Sequence, residues 1–202
     1  MGPVDWDQRY ASHDEGLWSG RANGALVAEL AGRPPGRALD VGCGEGADAI
    51  WLARAGWQVT GVDVSKVALE RAAAGAREAA VTVEWVCADI VTLRLSPGAY
   101  DLVSLQYPAL KHSSGGDAIG VLLGAVAPGG TLLVVGHAPV DPEYARAHGF
   151  EVAEYVQPAD IRARLDGGWE VEVDETRPPV NPAPEGSPHT HDTVLRAKRN
   201  MS

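Results

Sequence analysis

Arg37-Ala38-Leu39-Asp40-Val41-Gly42-Cys43-Gly44-Glu45-Gly46 brings a carboxylate, a thiol and three glycines within a few positions of one another. The first five residues read as a short buried strand, and the rest as a turn. Its glycines can take positive φ angles and let a ligand approach the backbone closely. A second apolar run, Val59-Thr60-Gly61-Val62, ends at Asp63. An acid about 20 residues beyond a glycine turn, at the tip of the next strand, is placed to accept hydrogen bonds from a ribose. The chemistry implied is the holding of a nucleoside-bearing ligand.

Asp40 narrows the choice of ligand. The turn with Ala47 also fits the dinucleotide pattern of two glycines and a small residue, but a pyrophosphate there would meet an unwelcome carboxylate. S-adenosylmethionine has no phosphate and carries an ammonium beside its sulfonium, which a carboxylate favours. An NAD(P)-binding oxidoreductase and a non-catalytic S-adenosylmethionine-binding protein stay as the alternatives.

Leu39 to Gly46 resembles motif I of the class I S-adenosylmethionine-dependent methyltransferases. Gly61-Val62-Asp63-Val64-Ser65 resembles their second motif, and Cys87-Ala88-Asp89-Ile90 their third. Tyr100 to Tyr107 resembles their fourth strand, and Ala127 to Leu133 the approach to the fifth. The five likenesses run in order over residues 37 to 138. The ends, Trp6 to Trp18 and His189 to Lys198, resemble small bacterial members near the tellurite-resistance and thiopurine methyltransferases. The resemblance implies a Rossmann-like doubly wound α/β fold with a seven-stranded, mostly parallel sheet, an antiparallel last strand and helices on both faces. It implies S-adenosyl-L-methionine as cofactor, S-adenosyl-L-homocysteine as product and a small-molecule methyl acceptor. Asp40, Gly42, Cys43, Gly44 and Gly46 would then wall the methionine moiety, with Asp63 and Val64 at the ribose. Asp89 would take the adenine amino group, with Ile90 flanking the ring. Arg9-Tyr10 and Trp18 resemble a segment that closes over the cofactor; the bland reading is a core-anchored helix.

The chain has 202 residues and a formal net charge of −10, from 17 basic and 27 acidic side chains. One domain of this length can hold a full core. Lys66, Lys111 and Lys198 are its only lysines, and nucleic acid would require a basic face. Strand four ends in Gln106-Tyr107-Pro108, unlike the Asn/Asp-Pro-Pro-aromatic pattern of base-amino methyltransferases. No apolar run reaches the ~20 residues of a membrane span and no signal-peptide pattern opens the chain, so the expected compartment is cytoplasmic. The expected state is a monomer or homodimer without nucleic-acid or membrane partners. Cys43 and Cys87 form neither a disulfide framework nor a zinc site by themselves; each reads as a small buried thiol at a strand end.

Apolar spacing and breakers place helices over 25–30, 47–55, 66–80, 118–127 and 159–165, with a weak one over 142–149. Strands follow over 57–64, 81–88, 100–107, 131–137, 169–176 and 193–199. The 177–192 connection is Pro-rich and too short for a crossover helix, so the last two strands are expected to pair antiparallel. The whole of 1–202 reads as a single domain, with a helical cap segment over 1–35 and the Pro-rich loop 177–192 lining the acceptor site. Ligand sites in such sheets lie at the carboxyl ends of the strands.

That rule puts Gln106 and Tyr107 beside the point of transfer, where Gln106 also reaches the cofactor, and His137 close by at the end of strand five. A neutral imidazole there can take a proton from an acceptor near pH 7. His189, His191 and Asp192 open the last strand as a base, as metal ligands or, more simply, as loop anchors; no metal is expected. The acceptor atom, whether oxygen, nitrogen, sulfur or a chalcogen, stays open. Arsenite is disfavoured, because the family's arsenite chemistry uses three or more cysteines. Strand four lacks the histidine expected of a tellurite enzyme.

Overall fold

The computed structural model describes residues 2–13, 16–112, 116–138, 152–181 and 190–201. Its elements in order are α1 (Pro3–Ala11), α2 (Gly24–Glu29), β1 (Arg37–Val41), α3 (Ala47–Arg54), β2 (Gln58–Asp63), α4 (Lys66–Glu78), β3 (Glu84–Cys87), β4 (Tyr100–Gln106), α5 (Ala118–Ala125) and β5 (Val126–His137), then a short 3-10 turn (Val152–Glu154), α6 (Pro158–Ala163), β6 (Trp169–Arg177) and β7 (Asp192–Arg199). The strands form one sheet in the order β3-β2-β1-β4-β5-β7-β6. β7 runs antiparallel to both of its neighbours, and the other pairings are parallel. This is the Rossmann-like seven-stranded fold expected, including the antiparallel pairing of the last two strands.

Both faces of the sheet are covered, as parallel strands require. Leu39, Val41, Val103, Leu105, Leu132, Val134 and Leu195 pack beneath α5 and α6. Ala38, Leu102, Leu133, Val135 and Val194 face α2 and α3 through Leu26, Ala49 and Leu52. The chain leaves β1 outwards to β2 and β3, then returns to lay β4 on the other side of β1. That reversal opens a crevice above the carboxyl ends of β1 and β4.

Two strand boundaries differ from the expected ones for local reasons. β3 starts at Glu84 rather than residue 81, because Val81 belongs to the stop signal of α4. Val81 N donates to Ala76 O and Ala80 N to Arg77 O, with Ala80 left-handed at φ 54. That is a Schellman ending, carried here by alanine instead of glycine. β5 starts at Val126 rather than residue 131, since Tyr100 pairs with Val126 before a register shift re-enters the ladder at Leu102 and Thr131. The expected helix over 142–149 lies outside the described residues.

α1 lies within the helical cap segment expected over 1–35, and it is docked. Asp7 Oδ1 accepts from Ser65 Oγ at 2.6 Å and from Val67 N at 3.2 Å, tying α1 to the start of α4. Ser65 in turn caps α4 by accepting from Ala68 N. Among the described residues no helix is long and apolar enough to cross a membrane.

Candidate functional site

The turn after β1 is held by its own backbone. Gly42 N and Cys43 N both donate to Val62 O, at 2.8 and 3.1 Å, fixing the turn to the end of β2. Gly42 has φ +70 and open space where a Cβ would stand, so this part of the turn faces outward as a cradle. Gly44, at φ +52, is closed off differently: a Cβ there would lie 2.8 Å from the Tyr10 hydroxyl. Only glycine meets both demands. Gly46 is the N-cap of α3, with φ 82.

Asp63 is the second anchor. Its Oδ2 accepts from Gly44 N and its Oδ1 from Ser65 N, both at 2.8 Å, so one carboxylate spans the turn and the start of α4. Burial raises its pKa, and those two amides together with Val64 N counter the rise. Val64 stands beside it, half-buried. Asp89 is half-buried at the end of β3 and accepts from Val91 N at 3.1 Å as a local turn. Ile90, 2% exposed, belongs to the core beneath α5 rather than standing free in the crevice.

The strand register places a second group of polar side chains together. Asp40 pairs with Ser104, Gln106 with Val135, and His137 with Asp192. Side chains in register share a face and alternate residues repeat it, so Asp40, Ser104, Gln106, His137 and Asp192 all lie on the α2/α3 side. Asp40 is 2% exposed. Its Oδ2 and Gln106 Oε1 are buried without a hydrogen-bond partner in the structure, while Gln106 Nε2 donates to Ser104 Oγ at 2.9 Å. Two orphaned acceptors on one face of the sheet are costly until donors meet them.

Asp48, in the first turn of α3, is near enough for its charge to act on Asp40. Burial pushes Asp48 up from 3.8 to about 6, opposed by the Asn23 amide, which donates to Asp48 Oδ1 at 2.6 Å. Asp40 is pushed well above the usual carboxylate range by burial first, then by the charges of Asp48 and Asp63. Burial, followed by Asp40 and Asp63, raises the Cys43 thiol as well and keeps it neutral. Cys43 is half-buried and Cys87 is exposed. This corrects the expectation of two buried thiols: β3 is an edge strand, and its last residue has no cover.

Tyr107 follows β4 with φ 49, a left-handed backbone unusual for a side chain of this size. Its N–H extends the ladder to Val135 O at 2.7 Å. Its ring stacks on His137, with centroids 4.2 Å apart. Its hydroxyl donates to Asp192 Oδ1 at 2.9 Å, and the Asn23 side chain bonds that Tyr107 hydroxyl. Burial and the Asp192 charge raise the phenol far above its ordinary value, so it stays protonated. His137 is exposed at the mouth. His191 is exposed just before β7, its Nδ1 3.0 Å from Thr190 Oγ and its carbonyl accepting from Ala138 N. His189 lies outside the described residues. Among those described, no group of three or more His, Cys, Asp or Glu side chains is placed to hold a metal ion.

Over the turn lies the N-terminal segment. Tyr10 is buried, and its hydroxyl accepts from Trp18 Nε1 at 3.1 Å. Glu45 accepts from Leu17 N and Trp18 N and pairs with Arg71 of α4 at 2.8 Å. Trp18 is itself 55% exposed. Of the Pro-rich loop, residues 177–181 are described: Asn181 reaches Ala22 O, and a Cβ on Gly24 would strike Val180. The loop thus packs beside Asn23, next to Tyr107; residues 182–189 lie outside the described set. Sequence reasoning missed Asp48 and Asn23. An acid in the first helical turn is ordinary for helix electrostatics, so its type and place carried no signal.

Residues 38–130 match the family model described as a methyltransferase domain. An uncharacterized methyltransferase of Mycobacterium tuberculosis (strain ATCC 25618 / H37Rv) is 43% identical over 98 residues, 48% of either chain. A ubiquinone biosynthesis O-methyltransferase of Burkholderia lata is 37% identical over 105 residues, 51% of this chain and 44% of that protein. The matches thus span about half the length of these curated relatives. Among solved structures, one from echinomycin biosynthesis, where a disulfide bond becomes a thioacetal group, has a TM-score of 0.74 at 24% identity, covering 99% of this chain and 93% of that one. The N-methyltransferase NodS of Bradyrhizobium japonicum, in complex with S-adenosyl-L-homocysteine, has a TM-score of 0.73 at 16% identity over 98% and 99%. At these identities the structural likeness carries the fold alone. Residues 38–130 of this chain are thus similar to a methyltransferase domain, and the chain as a whole shares the Rossmann-like fold of these solved structures.

Proposed function

We propose that this chain binds S-adenosyl-L-methionine in the crevice above β1, β2 and β4 and transfers its methyl group to a small-molecule acceptor. The observation that carries the reading is the buried Asp40 carboxylate with an unpartnered oxygen beside the open glycine cradle. An ammonium satisfies that oxygen, whereas a phosphate would be repelled by it. The methyl arrives activated by the sulfonium, so the protein's task is alignment. Asp40, Gly42, Cys43, Gly44 and Gly46 hold the methionine part, Asp63 and Val64 the ribose, and Asp89 the adenine, with Ile90 backing that corner from the core. Trp18 closes the turn from above. Gln106 reaches both the methionine end and the acceptor.

Tyr107 acts here as a protonated positioning group, its hydroxyl donating a hydrogen bond to Asp192. His137, stacked on it and open to the mouth, is the residue able to take a proton from the acceptor near neutral pH. His191 borders the same rim. The chain is read as one domain, with 1–35 as cap and 177–192 beside the acceptor. Placement near the tellurite-resistance and thiopurine methyltransferases rests on the likeness of the two chain ends.

Isothermal titration with S-adenosyl-L-homocysteine and, separately, with NADH tests the reading. Binding of the first and not of the second is expected. Binding of NADH alone would overturn it.

A further inference from the structure

Tyr107 is an aromatic side chain held open to solvent by its surroundings. Its backbone is left-handed, at φ 49, a conformation that a side chain of this size keeps only where neighbours enforce it and that clusters at functional sites. The residue is 38% exposed, yet its hydroxyl is turned inwards, donating to Asp192 Oδ1 at 2.9 Å and bonded by the Asn23 side chain. What it presents to solvent is therefore ring and not hydroxyl. That ring stacks on the exposed His137, with centroids 4.2 Å apart and planes 22° from parallel. Val180, 52% exposed, adds an apolar side chain to the rim where it packs against Gly24, next to Asn23. The setting is also negative. Asp192 is 5% exposed, and it and Asp48 are the charges that act on Tyr107. Gln106, one residue before Tyr107, has its Oε1 buried without a hydrogen-bond partner. An incoming anion would thus meet lone pairs and charges of its own sign.

We propose that the Tyr107–His137 stack is the platform on which the methyl acceptor lies, and that it selects a flat aromatic ring bearing a neutral hydroxyl or amino group over carboxylates, thiolates and other anions. The inference rests on the methyl-transfer reading and deepens it by naming the acceptor class. A planar ring extends the stack and buries its apolar face without disturbing the inward hydroxyl. The acceptor's lone pair forms the new bond to the methyl carbon, and the carbon–sulfur bond breaks with its electron pair staying on sulfur. The acceptor's proton passes to the His137 imidazole and from there to solvent. Asp192 is the positioning residue: it holds the Tyr107 ring through the hydroxyl and sets the platform against negative charge.

The test is a ligand-observed NMR titration of the full chain, saturated with S-adenosyl-L-homocysteine, at neutral pH. The probes are naphthol, naphthoate with the same ring and a negative charge, and decahydronaphthol with the same hydroxyl and no flat ring. Naphthol should bind about 3- to 10-fold tighter than decahydronaphthol, the range an aromatic contact adds beyond buried area. It should bind at least ~5-fold tighter than naphthoate, the size of one like-charge contact in water-like surroundings. Tyr107→Leu and, separately, His137→Leu should erase the first preference; His137 needs no left-handed backbone, so its variant carries the test if the other fails to fold. Asp192→Asn keeps an acceptor for the Tyr107 hydroxyl and removes the charge. It should close the gap to naphthoate and leave the gap to decahydronaphthol, whereas a merely structural Asp192 would move both or neither. S-adenosyl-L-homocysteine affinity within about twofold of the parent confirms that each variant is intact. Equal binding of the probes, no binding of naphthol, or preferences that survive loss of either ring overturn the inference and leave the cofactor reading standing. Failure of the parent protein to bind S-adenosyl-L-homocysteine overturns both.

Discussion

The two sides of the crevice are built by different means. The side proposed to hold the cofactor is a local construction. The turn from Gly42 to Gly46 is pinned to Val62 O and to Asp63 through backbone amides, so a stretch of some two dozen residues contains nearly all it needs. The side proposed for the acceptor is assembled from distant parts: Tyr107 after β4, His137 from β5, Asp192 from β7 and Asn23 before α2. Their partners lie up to 85 residues apart in the chain. A local site is specified by residue types that only one geometry tolerates. A site assembled from afar is specified by sheet register, and its residues are individually unremarkable. If this contrast is correct, substitutions on the two sides separate cleanly into those that remove cofactor binding and those that spare it.

The largest effect belongs to Gly44→Val. The side chain would have to adopt φ +52 and place its Cβ 2.8 Å from the Tyr10 hydroxyl, which breaks the turn and pushes the cap segment away together. Loss of measurable S-adenosyl-L-homocysteine binding is expected by calorimetry, in a protein still folded by circular dichroism. Unchanged affinity would remove this turn from the site. Asp63→Ala follows. It strips two backbone amides of their acceptor as well as the proposed ribose contact, and should weaken binding by about 1–3 kcal/mol. An unaltered Kd would leave Asp63 as a structural clamp only.

The same contrast governs what the sequence allows one to read. Asp40, Gly42, Gly44 and Asp63 stand out because a positive φ demands glycine and because acids at strand tips are placed by the alternation of the strand. The antiparallel pairing of the last two strands also followed, because a short Pro-rich connection leaves no room for a crossover helix. The unread parts are those where one side chain replaces another in a familiar task. Ala80 ends α4 in the place of a glycine, so the strand after it seemed to begin early, at residue 81. Cys87 seemed a core thiol because its neighbours are apolar, but an edge position gives it no cover. Asp48 resembles any acid at a helix start. Asp40, on which its charge acts, is eight residues away in sequence, and only folding brings that charge to bear.

The effect of burial on Asp48 has a measurable sign. Asp48 rises from 3.8 to about 6 in the folded protein because burial penalises its charge. A raised acid binds its proton more tightly when folded, so its stabilising contribution is whole below about pH 4 and is lost as pH rises through 6. Asp48→Asn should therefore raise the stability of the ligand-free protein by about 1–2 kcal/mol at pH 7 and change it little at pH 4. Denaturant titration at the two pH values reads the difference. Equal effects at both would mean that the Asn23 contact, and not charge, is what the substitution alters.

The smallest effect tests the acceptor side. Tyr107→Phe removes the hydroxyl that donates to Asp192 and receives the Asn23 side chain, but keeps the ring on His137. A lost hydrogen bond of this kind costs about 0.5–1.5 kcal/mol of stability. Nothing in the turn or at Asp63 depends on that hydroxyl, so S-adenosyl-L-homocysteine affinity should stay within about twofold of the parent, a difference well under the 1.4 kcal/mol that a factor of ten represents. His137→Ala should likewise spare cofactor affinity while lowering turnover of an acceptor that must lose a proton. The decisive comparison is between the two readouts in one variant: stability or turnover moves and affinity does not. If Tyr107→Phe weakened cofactor binding as much as Asp63→Ala does, the two walls would be one cooperative unit. The chain from Asp192 through Tyr107 and Asn23 to Asp48 would then be the connection that makes it so.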